Sequence, residues 1–283
     1  MTRPALAVTG STGAVGGLVA GLLAEQGVAQ RLLVRDAGRA PSLDGAVTAV
    51  CEYADAGATR AALEGVTTLL MVSAAEAADR LDQHRTFVDA AAAAGVSHIV
   101  YPSFAGAAAD CTFTLGRDHF ATEQHIAASG MSYTFLRDNF YLDFLPLMAG
   151  EDGVIRGPAG RGRVAAVARA DVARTAAAVL AEPGSHRGVT YTLTGPEALT
   201  LEEAARIITE VTGRAVSFHD ETVEEAYASR RKWEAPQWQY DAWVSTYTAI
   251  RAGEVEDVLD DVRAVTGRPA VSLRELLAAD APA

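Results

Sequence analysis

The sequence LAVTGSTGAVGG, residues 6–17, places three glycines at three-residue intervals directly after a short apolar run. The run Ala5–Val8 is typical of a buried parallel strand, and the residues after Gly13 carry apolar side chains at helical spacing. A plain strand-to-helix turn rarely needs three glycines, whereas a turn that binds a pyrophosphate does, because backbone N–H groups and the positive helix end face the anion. We predict that Gly10 permits the tight turn, Gly13 the approach of the pyrophosphate and Gly16 the packing of the helix.

Two arginines follow the second apolar run, in the segment LVRDAGRA. In a dinucleotide-binding fold the residue that ends the second strand selects the cofactor, since an acidic residue binds a ribose 2′-hydroxyl and a basic residue accepts a 2′-phosphate. Arg35 ends the predicted strand and Arg39 follows one turn later, so two guanidinium groups can clamp a phosphate dianion. Asp36 is the competing signal, because its carboxylate could bind an unphosphorylated ribose. The sequence favours NADPH over NADH.

Strands and helices alternate through the first half of the chain. Further strands are predicted at residues 30–35, 47–51, 67–73, 97–103 and 132–136. The alternation predicts an α/β fold, a doubly wound (Rossmann) parallel sheet whose ligands bind beyond the carboxyl ends of the strands. We expect an NAD(P)-binding domain over residues 1–140 and a smaller C-terminal substrate-binding lobe over residues 141–283, with segments near 164–195 rejoining the main sheet.

Composition and charge exclude several classes of protein. The 283 residues are 49% hydrophobic and 21% charged, which is ordinary for a soluble globular protein, and the formal net charge is −12. A strongly acidic chain does not suit direct binding of DNA or RNA. No apolar run approaches the roughly 20 residues of a membrane span, and the start MTRPALAV lacks a signal-peptide core. Since Cys51 and Cys111 form no disulfide framework and the histidines no metal spacing, we predict a cytoplasmic protein without a metal site.

Several segments together resemble the NmrA-like family of atypical short-chain dehydrogenases. They are VTGSTGAVGG, LVRDAGRA, LEGVTTLLMVS, AAAAGVSHIVYPS, HFATEQHIAASGMSYTFLRDNFY and RADVARTAAAVL. Within that family the similarity is greatest to the bacterial NADPH quinone reductases and triphenylmethane reductases. The resemblance implies an NAD(P)H-dependent oxidoreductase, but its motifs do not specify a substrate.

The resemblance also assigns residues to the cofactor and the substrate. The implied cofactor contacts are Gly10, Thr12, Gly13, Ala14 and Val15 at the pyrophosphate, Arg35 and Arg39 at the 2′-phosphate, Glu52 and Tyr53 beside the adenine, and Val72, Ser73 and Ala74 at the nicotinamide ribose. Ser103, at the end of the fifth strand, is expected beside the nicotinamide. Asn139, Phe140 and Tyr141 follow the sixth strand where relatives place the substrate, and aromatic side chains there suit a flat aromatic molecule.

The sequence lacks the usual proton donor of short-chain dehydrogenases. In those enzymes a Tyr-x-x-x-Lys pair on the helix after the fifth strand protonates the substrate carbonyl. Here Lys232 is the only lysine, and it follows no tyrosine at that spacing. In the corresponding helix, GRDHFATEQHI, His119 and Glu123 share a face and Gln124 stands where the quinone-reductase relatives have a lysine. The candidate catalytic residues are Ser103 and His119.

Two classes of function remain open. The first is an NADPH-dependent reductase that transfers hydride to a quinone or other conjugated aromatic acceptor, which needs little acid assistance because charge spreads over its conjugated system. In the context of the family, that acceptor could be a polycyclic aromatic polyketide with coupled oxygen chemistry. The second is a non-catalytic NAD(P)-binding redox sensor of NmrA type that regulates a partner. We expect a small aromatic or quinone substrate, no nucleic-acid or membrane partner, and a monomer or homodimer.

Overall fold

The computed structural model describes residues 4–280 of the chain, and these residues form one seven-stranded sheet and two two-stranded sheets. The strands are β1 (Leu6–Thr9), β2 (Gln30–Val34), β3 (Ala46–Val50), β4 (Thr68–Leu70), β5 (His98–Phe104), β6 (Ser132–Asp138), β7 (Val154–Gly157), β8 (Arg163–Val164), β9 (Val189–Leu193), β10 (Leu199–Thr200) and β11 (Ser217–Asp220). The large sheet has the order β3-β2-β1-β4-β5-β6-β9, and the pairs β1–β2, β2–β3, β1–β4 and β4–β5 are parallel. The order of its first six strands is that of a doubly wound Rossmann sheet, so the predicted fold class is confirmed.

Of the ten α-helices in the described residues, the first five lie between strands of the large sheet and the other five follow its last strand. The helices are α1 (Ala14–Glu25), α2 (Ala56–Ala62), α3 (Arg80–Ala93), α4 (Thr114–Ala128), α5 (Arg169–Ala181), α6 (Leu201–Thr212), α7 (Val223–Arg230), α8 (Gln237–Arg251), α9 (Asp261–Thr266) and α10 (Leu273–Asp280). Local sequence fixes several starts: Asp55 caps α2, and Thr200 and Thr222 each form a capping box with the glutamate three residues later. None of the helices in residues 4–280 is both long and apolar enough to cross a membrane.

The chain forms two compact units that do not follow a single cut. The first unit comprises the residues up to Ser103 together with 118–137 and 170–191, and the second comprises 104–117, 138–169 and the residues from Thr192 onward. Residues 170–191 group with the first unit, although they follow the expected boundary near residue 140, because β9 extends the main sheet.

The segment near Val164 was also expected to rejoin the main sheet, and it pairs elsewhere. β8 forms an antiparallel ladder with β10, in which Leu199 lies opposite Val164. The backbone groups of the next residue, Ala165, are also occupied within the second unit: its N–H donates to Val255 and its carbonyl accepts from Gly195. The Val167 N–H donates to the Phe140 carbonyl and its carbonyl accepts the Leu142 N–H, so this segment is bonded within the second unit and the prediction for 164–167 was wrong.

The core of the first unit surrounds the sheet. Strands β1, β2 and β5 are buried along their whole length, as expected for parallel strands that are covered on both faces. The main apolar cluster includes Leu33, Leu63, Leu69, Met71, Phe87, Val88, Ile99, Tyr101, Ile126 and Phe135. Packing of this cluster fixes the position at which each strand ends, and therefore where the residues that follow the strands can lie.

Helix α1 offers a matched test of this packing. Leu23 is fully buried, whereas Leu18 on the same helix has 44% of its surface exposed. We expect Leu23→Ala to lower the free energy of unfolding by about 2–5 kcal/mol through the cavity it leaves. Leu18→Ala should change it by no more than about 0.5 kcal/mol. Urea denaturation followed by circular dichroism measures both, and equal losses would contradict the assignment of the inner face.

Candidate cofactor-binding and active site

Glycine is needed for a different reason at each of the three positions in the turn before α1. Gly10 has a φ of +65°, in the left-handed region, and a Cβ atom there would lie 3.0 Å from the Val72 Cβ. A Cβ atom at Gly16 would lie 2.4 Å from the Gly10 carbonyl oxygen, which is too close to tolerate. Gly13 has ordinary extended dihedrals, and its added Cβ would meet only the Gly10 oxygen at 3.3 Å. The fold therefore demands glycine at positions 10 and 16 more than at position 13, where an approaching ligand would supply the reason.

The start of α1 is suited to an anion. Thr12, Gly13 and Ala14 are exposed, and no side chain caps the first turn of this 12-residue helix. The Gly13 N–H already donates to the Gly10 carbonyl at 2.8 Å, so the amide groups available to a phosphate begin at Ala14, and the helix dipole favours an anion at this end. Val15 is buried, so only its backbone could contribute to such a contact.

A cavity of about 360 Å³ lies where β2 ends. It is lined by Thr12, Val34, Arg35, Asp36 and Arg39. The structure therefore brings both arginines predicted for the 2′-phosphate to one space, together with a residue of the glycine turn. The competing Asp36 has a structural task, since one of its carboxylate oxygens accepts the Gly38 N–H at 2.9 Å and caps the short helical turn Ala37–Arg39. The surroundings of this cavity favour a phosphate over a ribose hydroxyl.

Tyr53, expected beside the adenine, has a different environment from its neighbour Glu52. Glu52 is exposed, whereas the Tyr53 ring stacks on buried Phe87 with 4.1 Å between centroids. The Tyr53 hydroxyl donates to the Val72 carbonyl at 2.5 Å and lies 2.8 Å from the Thr9 Oγ1. The Thr9 Oγ1 also accepts the Val72 N–H at 2.8 Å. Tyr53 therefore fixes the position of Val72, and its ring stacks on Phe87, while its place beside the adenine stays a prediction.

Residues 72–74, which we call the β4 exit segment, are held by side chains at every residue. The Ser73 Oγ lies 3.1 Å from the hydroxyl of Tyr101, which is fully buried on β5. The Ala74 N–H donates to the His84 Nε2 at 2.9 Å, and the Ala74 carbonyl accepts from the Arg80 Nε at 3.2 Å. Because backbone groups beyond a strand end have lost their ladder partners, these side-chain contacts keep the segment in one conformation.

His84 is neutral in this arrangement. Its Nε2 accepts the Ala74 N–H, so its proton is on Nδ1, which lies 2.9 Å from the Thr122 Oγ1. The Thr122 hydroxyl in turn donates to the Asp118 carbonyl at 2.7 Å. Burial, with the nearby charge of Arg80, lowers the pKa of His84 to about 3. His84 therefore carries no charge near neutral pH, and its two hydrogen bonds link α3 to α4 and to the exit segment.

His119, the first candidate catalytic residue, contacts this same region. Its Nδ1 lies 3.0 Å from the Tyr101 hydroxyl and its Nε2 lies 3.3 Å from the Arg80 Nη2. Burial, and secondly the Arg80 charge, hold the pKa of His119 well below its ordinary value. His119 is thus linked to the predicted nicotinamide-ribose residues through Tyr101, but its ring is neutral at neutral pH and has no extra proton to donate.

Ser103, the second candidate, is committed to another carboxylate. Its hydroxyl donates to the Glu123 Oε1 at 2.6 Å, and Glu123 also forms a bidentate pair with Arg137 at 2.9 and 2.6 Å. The Glu123 side chain is only 2% exposed, and the pair raises the pKa of Arg137. Since the Ser103 hydrogen points to a carboxylate, it is not available to a substrate. The geometry gives Ser103 a structural role, and its part as a candidate catalytic residue stays a prediction.

The three predicted substrate residues, all in the second unit, point their side chains to different partners. Asn139 is buried, and its amide bonds the Val255 carbonyl at 3.0 Å and the Phe140 N–H at 2.8 Å. The Phe140 ring packs against Phe104 and Phe113 with centroid distances of 5.0 and 5.1 Å. Tyr141 donates its hydroxyl to the Asp138 carboxylate at 2.9 Å and lies under the Arg169 guanidinium. Phe140 belongs to an aromatic cluster, whereas Asn139 shapes the backbone.

Sequence reasoning missed Arg80 and Tyr101. Arg80 is 5% exposed and Tyr101 fully buried, so neither resembles a solvent-facing functional residue. A signal was nevertheless present, because Arg80 and His84 are four residues apart and therefore share a face of α3. Two polar residues on an otherwise apolar face indicate buried partners.

The distinction between the glycines can be tested directly. We expect Gly13→Val to leave the circular dichroism spectrum and melting temperature nearly unchanged while weakening dinucleotide binding at least about tenfold, because its side chain would project into the phosphate position. Gly16→Ala should lower the melting temperature, since its Cβ meets backbone that cannot move aside. Fluorescence titration with NADPH and thermal unfolding measure the two effects. Unimpaired binding by Gly13→Val would show that the turn is only structural.

The chain is similar along most of its length to characterised reductases. The model of the NmrA-like family matches residues 2–231. An NAD(P)H azoreductase of Xenophilus azovorans is 33% identical over 98% of each chain. The NADPH-dependent quinone oxidoreductase of Escherichia coli in complex with NADPH superposes with a TM-score of 0.88 at 32% identity, covering 97% of this chain and 99% of that one. For the Citrobacter sp. triphenylmethane reductase complexed with NADP(H) the TM-score is 0.86 at 32% identity, over 98% and 100% of the two chains. The chain therefore belongs to the NmrA-like family.

Proposed function

We propose that this chain is an NADPH-dependent reductase that transfers hydride to a quinone or another conjugated aromatic acceptor. The observation that carries the proposal is the cavity lined by Arg35 and Arg39 beside the exposed, uncapped start of α1. The relatives support it, since the Escherichia coli protein is an NADPH-dependent quinone oxidoreductase and the Citrobacter protein a triphenylmethane reductase with NADP(H). The azoreductase adds a third conjugated aromatic substrate class.

The residues of the first unit fit a phosphorylated dinucleotide. The amide groups at Ala14 and Val15 would hold the pyrophosphate, Arg35 and Arg39 the 2′-phosphate, and the β4 exit segment the nicotinamide ribose. When bound, the nicotinamide supplies the hydride. No group of three or more potential metal ligands is assembled within residues 4–280.

The side chains around the exit segment can orient a bound cofactor or substrate, but they are poor proton donors. Burial raises the pKa of Tyr101 to about 12, so its phenol holds its proton at neutral pH. His84 and His119 are neutral, and the Ser103 hydrogen bonds Glu123. Such a site suits an acceptor whose reduced form is stabilised by conjugation and takes its proton from solvent. A polycyclic aromatic quinone, a polyketide among them, meets that requirement, and oxygen could reoxidise the reduced ring.

Cofactor preference tests the basic cavity. We expect NADPH to bind at least about tenfold more tightly than NADH, a difference of about 1.4 kcal/mol. Arg35→Ala should remove most of this preference while leaving the affinity for NADH unchanged, because NADH lacks the 2′-phosphate. Fluorescence titration with both cofactors measures the effect, and equal affinities of the unaltered protein would contradict the phosphate clamp.

Turnover tests the reductase itself. With menadione as acceptor we expect NADPH oxidation by the unaltered protein. Ser103→Ala and His119→Ala should each lose at most about a hundredfold in kcat, since the loss of a dedicated acid costs about 10²–10⁴. Phe140→Leu keeps an apolar side chain but removes the aromatic face, and should raise KM about two- to tenfold with little change in kcat.

Two results would change the interpretation. A loss beyond about ten-thousandfold in Ser103→Ala or His119→Ala would reveal a dedicated proton donor. Tight NADPH binding without oxidation by any quinone, azo compound or cationic triarylmethane dye would favour the alternative, a non-catalytic NAD(P)-binding sensor.

A further inference from the structure

A chain of four side chains leads from α3 to the β4 exit segment. The Arg80 Nη2 lies 3.3 Å from the His119 Nε2, the His119 Nδ1 lies 3.0 Å from the Tyr101 hydroxyl, and that hydroxyl lies 3.1 Å from the Ser73 Oγ. All four residues belong to the first unit. Arg80 is held from the far side as well, by the Ala74 carbonyl at 3.2 Å and by Asp118, whose carboxylate is 3.5 Å from the Arg80 Nη1.

Because of Arg80, the hydrogen bonds along these four side chains can run in only one direction from donor to acceptor. A guanidinium group can only donate hydrogen bonds, so the His119 Nε2 that faces it must accept. His119 is then neutral with its proton on Nδ1, and that proton goes to the Tyr101 oxygen. Tyr101 has a single hydrogen, and the Ser73 Oγ lies within hydrogen-bond distance of it, whereas the Thr122 hydroxyl, which also lies near the phenol, is bonded to His84 and to the Asp118 carbonyl. With the Tyr101 hydrogen on Ser73, the hydroxyl hydrogen of Ser73 is the one that is not used among these four side chains.

The same geometry rules out proton conduction along the chain. A proton leaving the His119 Nδ1 would have to be replaced at Nε2, and Arg80 does not give up protons in proteins. The four side chains can therefore orient a hydrogen bond, but they cannot deliver a proton to a substrate.

We propose that Arg80 is a positioning residue that locks the tautomer of His119 and thereby makes Ser73 a hydrogen-bond donor to the bound dinucleotide, at an oxygen of its nicotinamide ribose. This inference rests on the proposed function, because it requires NADPH at the β4 exit segment. It assigns one task to His119 and Tyr101, which is to set the direction of the Ser73 hydroxyl.

Removal of Arg80 should cause a loss of cofactor affinity that depends on pH. In Arg80→Met, neutral His119 is free to carry its proton on Nε2, so that Nδ1 accepts from Tyr101, Tyr101 accepts from Ser73, and the unused Ser73 hydrogen is lost. Protonation of His119 places a hydrogen on Nδ1 again and restores the original direction. The Kd for NADPH should therefore be about two- to tenfold above that of the unaltered protein at about pH 8, the effect of one neutral hydrogen bond, and this difference should disappear only at a pH well below the ordinary histidine pKa of about 6.5, because His119 stays buried. The 2′-phosphate of NADPH takes up a proton at about pH 6 in every variant, so the Kd of each variant is compared with that of the unaltered protein at the same pH.

The charged and titratable groups around His119 are consistent with this sign. Arg80 and His84 face it from α3, Tyr101 from β5, and Asp118 and Glu123 are on its own helix. Burial disfavours the imidazolium most, and the charges of Arg80 and His84 add to this effect, so loss of Arg80 raises the pKa of His119 only part of the way and leaves it below its ordinary value.

Matched variants separate this direction-setting role from a merely structural one. Arg80→Lys keeps a group that can only donate, so its Kd should match that of the unaltered protein at each pH. Tyr101→Phe removes the hydroxyl between His119 and Ser73, so NADPH binding should be weakened about two- to tenfold, equally at both pH values. This variant also tests the inference if Arg80→Met folds poorly. Arg85→Met, on the exposed side of α3 where Arg85 pairs with Asp82, should match the unaltered protein.

A second measurement needs no cofactor. In ¹⁵N-detected NMR of the unaltered protein, His119 should be protonated on Nδ1 between about pH 6 and 8, and in Arg80→Met the Nε2-protonated form should appear. An Nε2-protonated His119 in the unaltered protein, or an Arg80→Met Kd whose ratio to that of the unaltered protein does not vary with pH, would overturn the inference. Failure of the unaltered protein to bind NADPH would instead overturn the proposed function, whatever tautomer His119 shows.

Discussion

The constraint on which the site depends is the fixed conformation of residues 72–74 beyond the end of β4. At Val72 the N–H and carbonyl are bonded by Thr9 and Tyr53, and the side chain would collide with any Cβ at Gly10. A strand that ends in a parallel sheet leaves backbone groups without ladder partners, and here side chains from β1 and α3 bond them. The glycine turn and the segment expected at the nicotinamide ribose are thus fixed against each other.

Electrostatics in the first unit vary sharply over short distances. The protein has a net charge of −12, yet two arginines line the cavity where β2 ends. A dinucleotide responds to the local field and to the helix dipole more than to the net charge, so an acidic protein can still attract a phosphate. Burial lowers the pKa of His84 and His119 most, and the positive charge of Arg80 adds to it, so both histidines stay neutral beside that arginine.

These two features explain why the proposed chemistry needs no dedicated acid. Neutral histidines and a phenol whose pKa is raised to about 12 are good at fixing hydrogen-bond directions and poor at releasing protons. Ser103 is bonded to Glu123, which is itself neutralised by Arg137. A site of this kind accelerates hydride transfer by holding its reactants in place, which is sufficient for an acceptor that disperses negative charge.

The sequence by itself determined the Rossmann sheet, the glycine turn and the arginines at the end of β2. Each of these depends on local patterns: apolar periodicity, glycine spacing after a strand, and the position of a residue within one element. The sequence did not reveal that Ser103 bonds Glu123, that Tyr53 packs on Phe87, or that β8 pairs with β10. Those outcomes were decided by tertiary structure, because the partners lie on different elements and meet only when helices pack on the sheet. Arg80 and His119 are 39 residues apart in the chain, and only that packing sets the one direction in which their hydrogen bonds run.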